Sequence, residues 1–193
     1  FTLTNVVATA APKVWPITPS AGGTIEDTAS RIKLIIPPNA LGSSSSPANV
    51  QIQEATAPEA GSSFAVGGLG VQISVTLNDG SVVTTLQSPV TLAKTFTKAQ
   101  LVASPSSTDA SLNTMAEINR DLSAIGYWDA TAGTWTPQAT VITYKDAAGA
   151  VVAAPANDLS NVEYVTVETA LTHFSLFAPV VATDPSAPAT PTG

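Results

Sequence analysis

Short β-strand signals separated by turn signals recur along this 193-residue chain, and that rhythm most limits what it can fold into. Val71-Gln72-Ile73-Ser74-Val75-Thr76-Leu77 alternates apolar and polar side chains without a break, which is the period of a strand with one buried face. Asn78-Asp79-Gly80 follows, and these residue types tolerate positive φ. Val82-Val83 then resumes the apolar pattern, so the stretch predicts a hairpin. Tyr127-Trp128 and Thr134-Trp135 flank a turn from Asp129 to Gly133 and predict a second hairpin, with aromatic rings paired across the strands. Val141-Ile142-Thr143-Tyr144 and Val151-Val152, joined through Lys145 to Gly149, predict a third.

Earlier in the chain, Arg31 to Ile36 reads as a strand stopped by Pro37-Pro38. Asn39-Ala40-Leu41-Gly42 is a tight turn and Val50-Gln51-Ile52-Gln53 the next strand. Val162 to Glu168 alternates again, and Phe174, Leu176 and Phe177 are expected on the strand that follows. Helical spacing occurs once, at Asp109 to Arg120, where Leu112, Met115, Ala116 and Asn119 share a face; a short helix is expected over 109–120. The expected fold is all-β, an antiparallel β-sandwich with short loops. Residues 1–19 form an N-terminal strand or assembly segment, 20–182 the sandwich, and 183–193 a Pro/Thr-rich tail or linker.

Hydrophobic residues make up 44% of the chain, enough to fill a sizeable core, whereas charged residues are only 11%. Ala, Thr, Ser and Val dominate, a bias that points to an exported or surface protein. The start at Phe1 without a methionine fits either a mature chain freed of a signal peptide or an excerpt of a longer protein. The net charge is -7 and the seven Lys and Arg residues are scattered singly, so no basic stripe exists to hold nucleic acid. Without cysteine, disulfides, thiolate metal sites and cysteine nucleophiles are excluded. The longest apolar runs, such as Leu34 to Ile36, are strand-sized, so membrane insertion is not expected.

Chemistry has one place to concentrate, His173-Phe174-Ser175, where the chain's single histidine stands two residues before a serine. An imidazole is the usual base for activating a hydroxyl near neutral pH. If the Phe174-Ser175 peptide is strained, Ser175 Oγ can attack the Phe174 carbonyl, convert the amide to an ester, and let water release two pieces. The plainer reading is that His173 caps a sheet end and Ser175 is an outward-facing strand residue. The acids Glu26-Asp27, Asp79, Asp129, Asp146 and Asp158 each sit by a turn, as backbone-capping carboxylates do, and no metal or cofactor is expected. Trp128 and Trp135 serve either as a cross-strand core pair or as a sugar platform, and Trp15 as a core anchor. Lys33 and Lys94, the strand-placed lysines, are expected on solvated strand faces rather than in a crosslink.

Gly22-Gly23-Thr24-Ile25, Lys33 to Leu41, Ser88-Pro89-Val90-Thr91-Leu92, Gly126 to Asp129 with Gly133-Thr134-Trp135, and Thr172 to Ala178 follow one another in a distinctive order. In that order, over roughly residues 20 to 181, the chain resembles the ZU5-like β domains of prokaryotic surface proteins. Animal relatives of that class include members that cut themselves between the Phe and Ser of a His-Phe-Ser motif and others that keep the fold without cutting. The resemblance implies His173 as general base, Ser175 as nucleophile and Phe174 as the residue whose carbonyl is attacked. It implies one self-cleavage and no enzyme acting on a separate substrate. Asp109 to Asp121 is longer and more polar than the corresponding connection, and the residues before Pro12 lie outside the pattern.

These readings converge on an exported structural or assembly domain of a cell-surface protein or pilus-like filament, located outside the cell. Its expected partners are other protein subunits, including copies of itself joined through Phe1 to Ala10. The alternative is an accessory module that binds glycan or protein within a larger secreted protein.

Overall fold

The computed structural model describes residues 11–56, 64–66, 70–102, 124–152 and 160–182. Strand-forming alternation is plainest at Ile32-Lys33-Leu34-Ile35-Ile36, where Ile32, Leu34 and Ile36 are buried and the residues between them face solvent. In chain order the strands are β1 (Lys13–Ile17), β2 (Gly23–Asp27), β3 (Ile32–Ile36), β4 (Ala48–Ala55), β5 (Phe64–Val66), β6 (Gly70–Thr76) and β7 (Val90–Thr97). A one-turn helix α1 (Lys98–Val102) follows, then β8 (Ala124–Asp129), β9 (Thr134–Pro137), β10 (Thr140–Lys145), β11 (Tyr164–Leu171) and β12 (Leu176–Ala182).

The strands form two antiparallel sheets. One has seven strands in the order β1-β4-β6-β12-β8-β9, with β5 also pairing β12; the other has five in the order β10-β11-β7-β3-β2. The chain is therefore an all-β sandwich, as its alternation requires. Buried side chains of both sheets make one core, including Leu34, Val50, Val75, Leu92, Val165 and Phe177. Each such aliphatic or aromatic group contributes about 1.5–3 kcal/mol when removed from water.

All three expected hairpins are present. Leu77 N–H donates to Ser81 O beyond β6, Trp128 stands opposite Trp135 in the β8–β9 register, and Val152 N–H donates to Tyr144 O beyond β10. Gly22, with φ 65°, lets β2 start against the end of β3: a Cβ there would lie 2.2 Å from Ile36 O. Helix α1 had no counterpart in the sequence pattern, and the helix expected over 109–120 lies outside the described residues, as does Phe1 to Ala10. Lys13 to Ile17, inside the expected N-terminal segment, is an edge strand paired along its length with β4. Among the described residues no helix is long and apolar enough to cross a membrane.

Strand β12 occupies the middle of the larger sheet. Its Leu176-Phe177 end pairs β6, its Val180-Val181-Ala182 end pairs β5, and its other edge pairs β8. Pro179, which has no N–H to donate, falls between the β6 and β5 pairings. Phe177 belongs to the core between the sheets, while Leu176, Ala178 and Val180 alternate with it on the opposite face and are equally buried. Gly126 on β8 makes room on that face: a Cβ there would stand 2.8 Å from Val180 Cγ1.

Candidate functional site

The His173-Phe174-Ser175 tripeptide lies in the connection from β11 to β12, and β12 itself begins one residue later, at Leu176. Phe174 is thus not on the strand, because backbone pairing starts with Leu176 opposite Gln72. Both neighbours run on past that point, β6 to Thr76 and β8 to Asp129, so the sheet has a gap just where the motif enters it. A groove of about 550 Å³ opens there, with Tyr127, Trp128, His173 and Ser175 among its lining residues and residues 82–84 and 129–131 on its flanks.

Ser175 bridges the two strands. Its carbonyl accepts a hydrogen bond from Ile73 N–H on β6 at 3.0 Å, and its hydroxyl donates to the Trp128 carbonyl on β8 at 3.3 Å. The His173 ring stands edge-on to Tyr127, with centroids 4.5 Å apart and planes at 89°, and lies 6.3 Å from the Phe177 ring. Its Nδ1 is 3.5 Å from Thr172 Oγ1. Phe174 is half-buried and packs against the core.

These three residues are therefore close in space but not wired for proton transfer in this conformation. Among the described residues no hydrogen bond joins His173 to Ser175 Oγ, whose proton rests on a carbonyl oxygen that is no base. Nor is left-handed backbone strain found at the motif. The described non-glycine residues with positive φ are Arg31 at 52° and Asn39 at 64°, in the turns on either side of β3. The arrangement as it stands closes the sheet entrance and presents a half-buried serine and histidine to the groove.

Trp135 is buried and its ring centroid lies 5.3 Å from that of Trp128, so these two rings pair across the hairpin and only Trp128 reaches the groove. Trp15 packs against the core. Among the described residues no three His, Asp or Glu side chains gather as a metal ion would need.

A second cluster was not foreseen. Lys94 is not on a solvated face; its side chain is 12% exposed and points between the sheets, 3.7 Å from Glu54 on β4, with Nζ also donating to Ser30 O. Burial pushes its ammonium below the ordinary value, and Glu54 offsets part of that. Beside it, Lys13 on β1 meets Asp27 on β2 at 2.7 Å, and Ser30 Oγ donates to the same carboxylate. Burial pushes the Asp27 carboxyl up, but hydrogen bonds from Lys13 and Ser30 outweigh it and hold the group below its ordinary value. The two pairs tie one sheet to the other. Their signal was in the chain all along: Lys94 shares its parity with Val90, Leu92 and Phe96, and Glu54 with Val50 and Ile52. Lys33, by contrast, is exposed and paired with Glu26 at 2.8 Å on the solvent side.

Compared with protein-family models, with curated proteins and with solved structures, the chain gives no match in any of the three. The ZU5-like resemblance therefore rests on the order of the chain's own motifs.

Proposed function

We propose that this chain is a structural β domain of an exported cell-surface protein or filament, and that its work is to hold other subunits in place. The observation that supports this is the setting of β12. A strand near the C-terminal end of the described chain is hydrogen-bonded on both edges and buried on both faces, so a pull on it loads many bonds at once rather than peeling an edge. Such a strand suits a domain that transmits load between neighbours. Electron microscopy of labelled cells and of the concentrated protein tests the reading: surface-displayed fibres or ordered particles support it, and a dispersed monomer absent from the cell surface rejects it.

A second activity on the same element is a single self-cleavage between Phe174 and Ser175. What favours it is position. The scissile peptide lies at the mouth of β12 beside an open groove, so after scission the strand would stay seated between β6 and β8. The step requires His173 to accept the Ser175 proton while Oγ bonds to the Phe174 carbonyl carbon. His173 then gives that proton to the Ser175 nitrogen as the Phe174 C–N bond breaks, leaving an ester and a free amine, and water hydrolyses the ester to the Phe174 carboxylate and the Ser175 hydroxyl. Intact-mass measurement decides it: fragments ending at Phe174 and beginning at Ser175, lost in Ser175→Ala, support cleavage, and a persistent full-length mass excludes it.

A further inference from the structure

Self-cleavage would use only His173, Phe174 and Ser175 of the groove at the mouth of β12, and most of its wall is left without a task. The groove is bounded by described residues throughout. In the larger sheet the undescribed stretches join at the opposite end, next to Ala55, Gly70, Ala124 and Ala182, away from Thr76 and Asp129.

Phe177 faces Val71 on β6 and Tyr127 on β8, so one residue earlier Leu176 stands between Gln72 and Trp128. These three side chains point away from the core that Phe177 helps to fill. Two strand spacings put the Gln72 and Trp128 backbones about 9.5 Å apart across buried Leu176, wide enough for a small ring to lie between their side chains. Ser74 and Thr76 continue the Gln72 row along β6. The Trp128 ring is half-buried and meets Trp135 at a tilt of 58°, so the two are not stacked face to face.

The polar groups here are unspent. Among the described residues the side chains of Gln72, Ser74 and Thr76 make no hydrogen bond, and neither the Trp128 indole N–H nor the second ring nitrogen of His173 has a partner. Charge narrows what could meet them. No Lys or Arg lines the groove, so an anion would find no cation there and would face the field of a chain with net charge -7. Its one acid, Asp129, already accepts at Oδ1 from Thr131 and Ala132 N–H in its own turn.

We propose that this groove binds a neutral carbohydrate, with one sugar ring on Trp128 and its hydroxyls hydrogen-bonded to Gln72, Ser74 and the His173 imidazole. A sugar ring has an apolar C–H face and a rim of hydroxyls that both donate and accept. An aromatic ring beside amide, hydroxyl and imidazole groups answers both. An apolar peptide side chain in the same place would cover the aromatic ring but leave those polar groups unpaired, at a cost in free energy. The site goes beyond the assembly role proposed above and does not rest on it.

Calorimetric titration of the whole chain with cellohexaose, chitohexaose and mannohexaose, followed in parallel by tryptophan fluorescence, tests the proposal. At least one of the three is expected to bind and shift the emission, and a sulfated heparin hexasaccharide is expected not to. Trp128→Ala should weaken that binding by about tenfold or more, as loss of a central aromatic anchor does. Because Trp128 also packs on Trp135, Gln72→Ala serves as a second variant that leaves the hairpin intact; loss of one hydrogen bond should weaken binding about two- to tenfold. Tyr164→Ala, beside Arg31 on the other sheet, should leave it unchanged. Failure of all three neutral hexasaccharides to bind overturns the proposal, as does binding that both Trp128→Ala and Gln72→Ala leave unaltered. Tighter binding of the heparin fragment overturns the neutral class of the ligand.

Discussion

Strands β12 and β10 are similar in length and both rich in residues that favour strands, yet they have opposite standing in the molecule. β12 has neighbours on both edges and apolar packing on both faces; among the described residues β10 has one full neighbour, β11, and bridges Val151 at its end. The difference teaches that composition alone does not say whether a strand lies at the centre of its sheet or at the end of it. What separates them is the unbroken apolar run Leu176-Phe177-Ala178-Pro179-Val180-Val181 in one and exposed Val141 amid threonines in the other.

The contrast can be broken most sharply at Phe177. Phe177→Ala should cost about 3–5 kcal/mol in urea unfolding, because the side chain is buried and its loss leaves a cavity under the central strand. A cost below about 1 kcal/mol would mean that β12 is not the keystone described.

Acid asks whether the two sheets are held by burial alone. The folded Asp27 carboxyl titrates below its ordinary 3.8, so its contribution is fully present above that pH and is lost as pH falls through the lower folded value. Asp27→Asn should remove about 1.5–3 kcal/mol at neutral pH and flatten the acid limb of the stability profile. Lys94 has the same sign in the alkaline range, for a different reason: burial penalises its charged form. Its folded ammonium titrates below 10.5, the unfolded chain binds more protons in that window, and stability should rise slightly with pH until 10.5 is reached.

Gly126→Ala sharpens the comparison on the far face of β12. The new Cβ would press on Val180, and a loss of about 1–3 kcal/mol by thermal or chemical unfolding is expected, against little effect in a protein where that face is open. Ser175→Ala removes only the hydroxyl bond to the Trp128 carbonyl and should cost about 0.5–1.5 kcal/mol, leaving the Ile73 bond to its carbonyl intact. At the other extreme, Val141→Thr on exposed β10 should change stability by no more than about 0.5 kcal/mol in the same assay.

Much of this was legible beforehand in particular residues. Pro37-Pro38 ends β3, Asn78-Asp79-Gly80 turns β6, and Trp128 and Trp135 pair across their hairpin, because turn chemistry and cross-strand alternation act over a few residues. The site was legible only as a tripeptide. His173 and Ser175 are two residues apart in any conformation, but whether imidazole meets hydroxyl depends on Tyr127 and Trp128, some 45 residues earlier. Lys94 was misjudged for a related reason: its charge suggested solvent, and the parity it shares with Leu92 and Phe96 placed it inside, beside Glu54.

From the order of residues alone follow the strands, their turns, the two-layer β class and the single place where serine and histidine stand together. All of these depend on interactions between near neighbours in the chain. Which strand lies at the centre, where the groove falls and which acid finds Lys94 were decided by the tertiary structure. Each depends on pairing between segments far apart in sequence, such as β12 with β6 and β8, and the alternation within a strand carries no record of its neighbour.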